Sequence, residues 1–90
     1  IDSVVRLAHL RRLDLRHTHI TDNGVAAIAQ TSGLLWLELS GSKITDKGIS
    51  KLSNLRDLRY LQISQTNASN ASIAQLRRQL ANCRIEVVKH

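Results

Sequence analysis

The sequence predicts an α/β solenoid: right-handed, with a parallel β-sheet on its concave face and short helices on its convex face, about three and a half repeats long and closed by a C-terminal cap. Two observations lead there. The stretch from Leu10 to Val25 reads L-x-x-L-x-L-x-x-T-x-I-T-D-x-G-V, and it returns 24 residues later from Leu34 to Ile49. A third, worn copy starts at Leu58 and keeps Leu61, Ile63, Thr66 and Ile73. The second observation is that each copy changes period inside itself, from alternation to helical spacing, so each is one strand followed by one helix.

The strands come first. Arg12, Asp14 and Arg16 alternate with Leu13 and Leu15, the pattern of a strand with one buried face. The same pattern recurs, giving expected strands at 12–16, 36–40, 60–64 and 84–88. Strands a whole repeat apart are joined by a crossover and run parallel.

The crossovers are the helices. Thr21-Asp22 and Thr45-Asp46 are cap-type residues, followed at helical spacing by Val25/Ile28 and Ile49/Leu52. Gly24 and Gly48 fall in the first helical turn, where glycine costs about 1 kcal/mol against alanine. Their recurrence implies a backbone too close to the adjoining coil for a Cβ. Thr18, Ser42 and Thr66 form one column after the strands, a structural hydroxyl ladder for the buried backbone of the turns. In the third copy Thr-Asp becomes Ser69-Asn70 and Gly becomes Ser72, and the helix is expected to run longer, over 70–81. Ile85 and Val87 then fall on the Leu13/Leu15 positions as a cap strand.

These elements make residues 1–90 a single domain. Residues 1–9 are the end of a truncated repeat, 10–33, 34–57 and 58–81 are repeats, and 82–90 form the cap strand. The chain begins at Ile1 in mid-repeat, so it is expected to be the C-terminal part of a longer one. Ile1, Val4 and Val5 would pack on upstream repeats of the same parent chain. Phe, Met and Pro are absent, so the core is almost purely Leu, Ile, Val and Ala. The single cysteine excludes an internal disulfide. That fits a reducing compartment and tilts an otherwise undetermined localisation toward the cytoplasm. No apolar run is long enough to span a membrane in this segment.

The motif resembles the leucine-rich repeat family, in its 24-residue cysteine-containing-like subclass with Thr or Ser in the usual Cys/Asn position. The wording is most like bacterial repeat proteins of planctomycete type, which end in a helix followed by an L-P-N-C-K-I-like strand. Leu80-Ala81-Asn82-Cys83-Arg84-Ile85 departs from that ending only by Ala for Pro and Arg for Lys. The resemblance covers about residues 1–88. It implies the fold specifically, and for function it implies a scaffold whose role resides in what its faces carry, as in receptors, inhibitors, adaptors and assembly factors.

The functional information therefore lies in the outward positions that do not repeat. The first outward column reads Arg12, Trp36, Tyr60, Arg84, and the second reads Asp14, Glu38, Gln62, Glu86. The third reads Arg16, Ser40, Ser64, Val88. The chain's one Trp and one Tyr are thus neighbours flanked by arginines, and these residue types are enriched at binding hot spots. The partner-binding candidates on the concave face are Arg12, Asp14, Arg16, Trp36, Glu38, Tyr60, Gln62 and Arg84. The alternative is that the aromatics merely stack and cover the sheet under their arginines, while Asp14 and Glu38 pair with Arg12 and Arg16.

A protein partner suits this mixed-charge face. A second reading is a structural or accessory domain of a multisubunit protein, held through its N-terminal edge. A third follows from the formal charge of +6. It is an anionic surface or nucleic acid on a rim of Arg11, Arg56, Arg59, Arg77 and Arg78, disfavoured because nucleic acid wants a continuous basic stripe. No catalytic site, cofactor or metal is expected. There is no nucleophile elbow or phosphate loop, and His17-x-His19 falls short of the three or four convergent ligands a metal needs. Cys83 is expected to be an inert structural thiol, and the Asn67-Ala68-Ser69 and Asn70-Ala71-Ser72 sequons are read as chance.

Overall fold

Arg12 pairs with Trp36, Trp36 with Tyr60 and Tyr60 with Arg84, so one position of the repeat runs across four parallel strands in register. This geometry comes from a computed structural model, which describes residues 11–16, 20–31, 33–40, 43–65 and 68–88. The expected hydroxyl column Thr18, Ser42 and Thr66, the pair His17 and His19, and the edge residues Ile1, Val4 and Val5 lie outside the described residues.

The described elements are β1 (Arg12–Leu15), α1 (Asp22–Ile28), β2 (Trp36–Ser40), α2 (Asp46–Lys51), a 3₁₀ turn (Leu52–Asn54), β3 (Tyr60–Ser64), α3 (Asn70–Gln79) and β4 (Arg84–Val88). The sheet order β1-β2-β3-β4 follows the chain. Two expected ends shift. β1 stops at Leu15 because Arg16 enters a turn, its amide donating to the Asp14 carboxylate at 3.1 Å. α3 stops at Gln79 because Leu80 leaves helical geometry, at φ −112° and ψ 63°.

The core lies between the sheet and the helices. Leu37, Leu39, Leu61 and Ile63 project from the two inner strands and meet Val25, Ile28, Ile49, Leu52, Ile73 and Leu76 from the helical side. Leu13 and Val87, on the outer strands, are only partly buried against this cluster. A core of branched aliphatic side chains stacked on copies of themselves follows from a repeat whose interior slots are alike.

The Thr-Asp pairs do more than cap helices. Asp22 reaches to the next coil, where its carboxylate accepts from the Thr45 amide at 2.8 Å and the Thr45 hydroxyl at 2.6 Å. Asp46 repeats this on Ser69, accepting from its amide at 2.7 Å and its hydroxyl at 3.0 Å. The held hydroxyls then cap their own helices, Thr45 accepting from the Lys47 amide and Ser69 from the Ser72 amide. Thr21 departs from the expectation, for its side chain makes no cap bond. Among the described residues no carboxylate holds it in place.

Gly48 has the close approach its recurrence implies. A Cβ there would strike Asp22 Oδ1 and come within 2.9 Å of Ile44 Cγ2. The glycine thus makes room for the aspartate that ties one coil to the next.

Candidate functional site

On the sheet face turned away from the helices, every side chain comes from an even-numbered strand position. Parallel pairing stacks like positions at about 4.8 Å, so residues 24 apart in sequence become neighbours. Trp36 and Tyr60 meet this way, with ring centroids 4.1 Å apart and planes tilted by 31°. The Arg12 guanidinium sits over the Trp36 ring, its Cζ 4.6 Å from the centroid. Such a contact is electrostatically favourable and covers one face of the indole.

Glu38 lies beside this stack and is buried, at 7% exposure. Its Oε1 accepts from Trp36 Nε1 at 2.6 Å, and its Oε2 pairs with Arg16 Nε at 2.8 Å. Glu38, expected in an outward column with pairing to the arginines of that face as the alternative, does pair with Arg16, and it is also the clamp that fixes the indole. A carboxylate can be buried only when paired and hydrogen-bonded, and both partners come from the same face. Arg16 also grips Asp14, with Nε and Nη2 donating to the two carboxylate oxygens. The hydrogen bond and charge of Asp14, with the charge of Glu38, raise the pKa of the Arg16 guanidinium.

The other half of the face is looser. Gln62 Nε2 donates to the Tyr60 hydroxyl at 3.3 Å. Burial foremost, then the nearby Glu86 carboxylate, pushes the Tyr60 phenol above its ordinary pKa. Arg84, opposite Tyr60 in register, turns to Glu86 at 3.4 Å and does not cover the ring as Arg12 covers Trp36. The structure therefore brings Arg12, Trp36, Glu38, Arg16 and Asp14 into one connected group with Tyr60 and Gln62 alongside. Arg84 stands apart at the edge, largely exposed.

Elsewhere the expectations divide. Of the arginine rim, Arg77 is engaged, donating to the Ile85 carbonyl at 3.0 Å and so fastening α3 to β4. Arg11, Arg56 and Arg59 are exposed. Cys83 is half-buried, which pushes its thiol up to about 11, so it stays protonated at neutral pH. Among the described residues no cluster of His, Cys, Asp and Glu could hold a metal, and no helix is long and apolar enough to cross a membrane. The Asp22 and Asp46 links went unread in the sequence, although the recurrence of Asp after Thr in the first two copies was a signal for them.

A family model described as leucine rich repeat matches residues 8–67, two thirds of the chain. The chain belongs to the leucine rich repeat family. The matched region runs from the approach to β1 past the end of β3, so it holds Arg12, Asp14, Arg16, Trp36, Glu38, Tyr60 and Gln62. Leucine rich repeat domains generally mediate protein–protein interaction and are typically not enzymes. No curated protein matches the chain.

Proposed function

We propose that this leucine rich repeat chain binds a protein partner on the face of its sheet, centred on Trp36 and Tyr60. In this reading the described strands and helices are parts of a right-handed solenoid of about three and a half repeats, whose crossovers follow the usual hand and whose sheet lines the concave side. Residues 10–33, 34–57 and 58–81 are its repeats and 82–90 its cap.

One observation carries the reading: the Trp36–Tyr60 pair is half-buried on an otherwise polar sheet face and is held from three sides, by Arg12, by Glu38 and by each other's ring. A side chain already fixed in one position loses little further freedom when a partner docks on it. Rigid aromatics surrounded by Arg12, Arg16, Asp14, Gln62 and Arg84 make a platform with a polar border, the arrangement common at interface hot spots.

The test is affinity capture from cell lysate with the wild-type chain and two variants. Trp36→Ala is expected to lose the captured partner while leaving the far-ultraviolet circular dichroism unchanged. Lys47→Ala combined with Lys51→Ala, on the helical side, is expected to retain it. Capture that survives Trp36→Ala and is lost in the lysine variant would place the interface on the helices and overturn the proposal.

A further inference from the structure

We propose a second docking surface on the rim where helix returns to strand, which takes an acidic extended segment of a protein partner through Arg11, Arg56 and Arg59. The Leu35 amide donates to the Arg11 carbonyl at 2.8 Å, and the Arg59 amide donates to the Leu35 carbonyl at 2.9 Å. These bonds set Arg11, Leu35 and Arg59 side by side, one per coil, with the two arginine backbones about 10 Å apart at ordinary strand spacing. Leu35 is the one exposed large hydrophobic among the described residues, at 37%. Arg11, Arg56 and Arg59 have no ion pair among the described residues, whereas Arg16 and Arg84 each have one.

A cavity of about 220 Å³ opens beside this column, lined by Thr31, Gly33, Asn54, Arg56 and Asp57 among others. Thr31 is buried, at 5% exposure, and among the described residues its hydroxyl has no hydrogen-bond partner. Arg11 Nη1 donates to the carbonyl of Gly33, a residue that lines the cavity, at 3.2 Å. Gly33 makes that contact possible, for it sits at φ 78°, where a side chain is disfavoured.

The occupant follows from these groups. One carboxylate meets Arg11, since the guanidinium fork matches carboxylate geometry. An apolar side chain covers Leu35, and a second carboxylate about 10 Å away meets Arg59. In a polyproline-type segment residues i and i+3 share one face at about 9 Å, close to that separation. A nucleic-acid backbone fits less well. Leu35 sits in the middle of the basic rim and breaks the continuous stripe that a phosphate backbone wants.

Fluorescence anisotropy with the full chain tests this, using a labelled synthetic peptide built on Glu-Leu-Pro-Glu, its Gln-Leu-Pro-Gln counterpart and a single-stranded oligonucleotide. The glutamate peptide is expected to bind with an affinity that falls as salt rises. The combined Arg11→Gln, Arg59→Gln change is expected to weaken it at least tenfold with circular dichroism unchanged. Trp36→Ala is expected to leave it unaffected, so this surface and the sheet face succeed or fail separately. Absence of binding, equal affinity for the glutamine peptide, or tighter binding of the oligonucleotide would each overturn the proposal.

Discussion

The indole N–H of Trp36 donates to the carboxylate of Glu38 at 2.6 Å, and the same carboxylate holds Arg16 at 2.8 Å. A single buried acid thus anchors an aromatic ring and a cation on one sheet face. Glu38→Ala leaves the Trp36 N–H and the Arg16 guanidinium without this partner. The expected cost is about 1–3 kcal/mol, the range for stranding a buried polar group. Tryptophan emission should shift to the red as the ring loosens and meets water. Urea denaturation and the emission maximum check both, and a variant unchanged in each would show that the bond does not hold the ring.

The link from Asp22 to Thr45 makes stability depend on pH. Hydrogen bonds from the Thr45 hydroxyl, then from the backbone amides of Thr45 and Gly48, hold the Asp22 carboxyl below its ordinary pKa of 3.8 against the opposing effect of burial. The folded state therefore favours the ionised form. Its contribution is present above about pH 4 and is lost as pH falls through the depressed folded value. Thermal melts between pH 7 and pH 2 should show a steeper acid loss for the wild type than for Asp22→Asn. Parallel curves for the two would remove Asp22 from the coil-to-coil linkage.

Gly48→Ala sets two effects against each other. Helix propensity favours alanine by about 1 kcal/mol, but the new Cβ meets Asp22 Oδ1 and Ile44 Cγ2. The aspartate cannot withdraw without giving up Thr45, so the substitution is expected to lower the melting temperature. Combining it with Asp22→Ala should cost less than the two single changes added together, because the second removes the atom that the first strikes. A stabilising Gly48→Ala would mean that the coils are not drawn together at this point.

The period of the sequence carried most of the fold, since a repeated strand-helix unit stacks in only one parallel register. Trp36 and Tyr60 could be placed as neighbours because residues one period apart must pair across strands. The burial of Glu38 was not legible. An even-numbered strand position reads as outward, and the turn of the Trp36 and Arg16 side chains onto Glu38 leaves no mark in the alternation. The aspartate ladder escaped for another reason. Asp22 and Asp46 are ordinary first-turn acids within one coil, and their second role exists only between coils. Arg77 likewise read as a free rim charge until the return of β4 brought the Ile85 carbonyl within its reach.

Cys83 gives the last prediction. Burial pushes its thiol up to about 11, and its Sγ lies 3.7 Å from the Arg84 carbonyl oxygen. The thiolate is the reactive form, so at pH 8 the native thiol should react with iodoacetamide on the order of a hundred times more slowly than the same thiol unfolded, where the ordinary pKa of 9.0 applies. The same displacement acts on stability. Because the folded pKa is raised, the contribution is complete below about pH 9 and declines as pH climbs through about 11. Alkylation followed by mass spectrometry in buffer and in urea measures the ratio. Near-equal rates in the two would mean that the thiol stands open to solvent and that the junction between α3 and β4 does not enclose it.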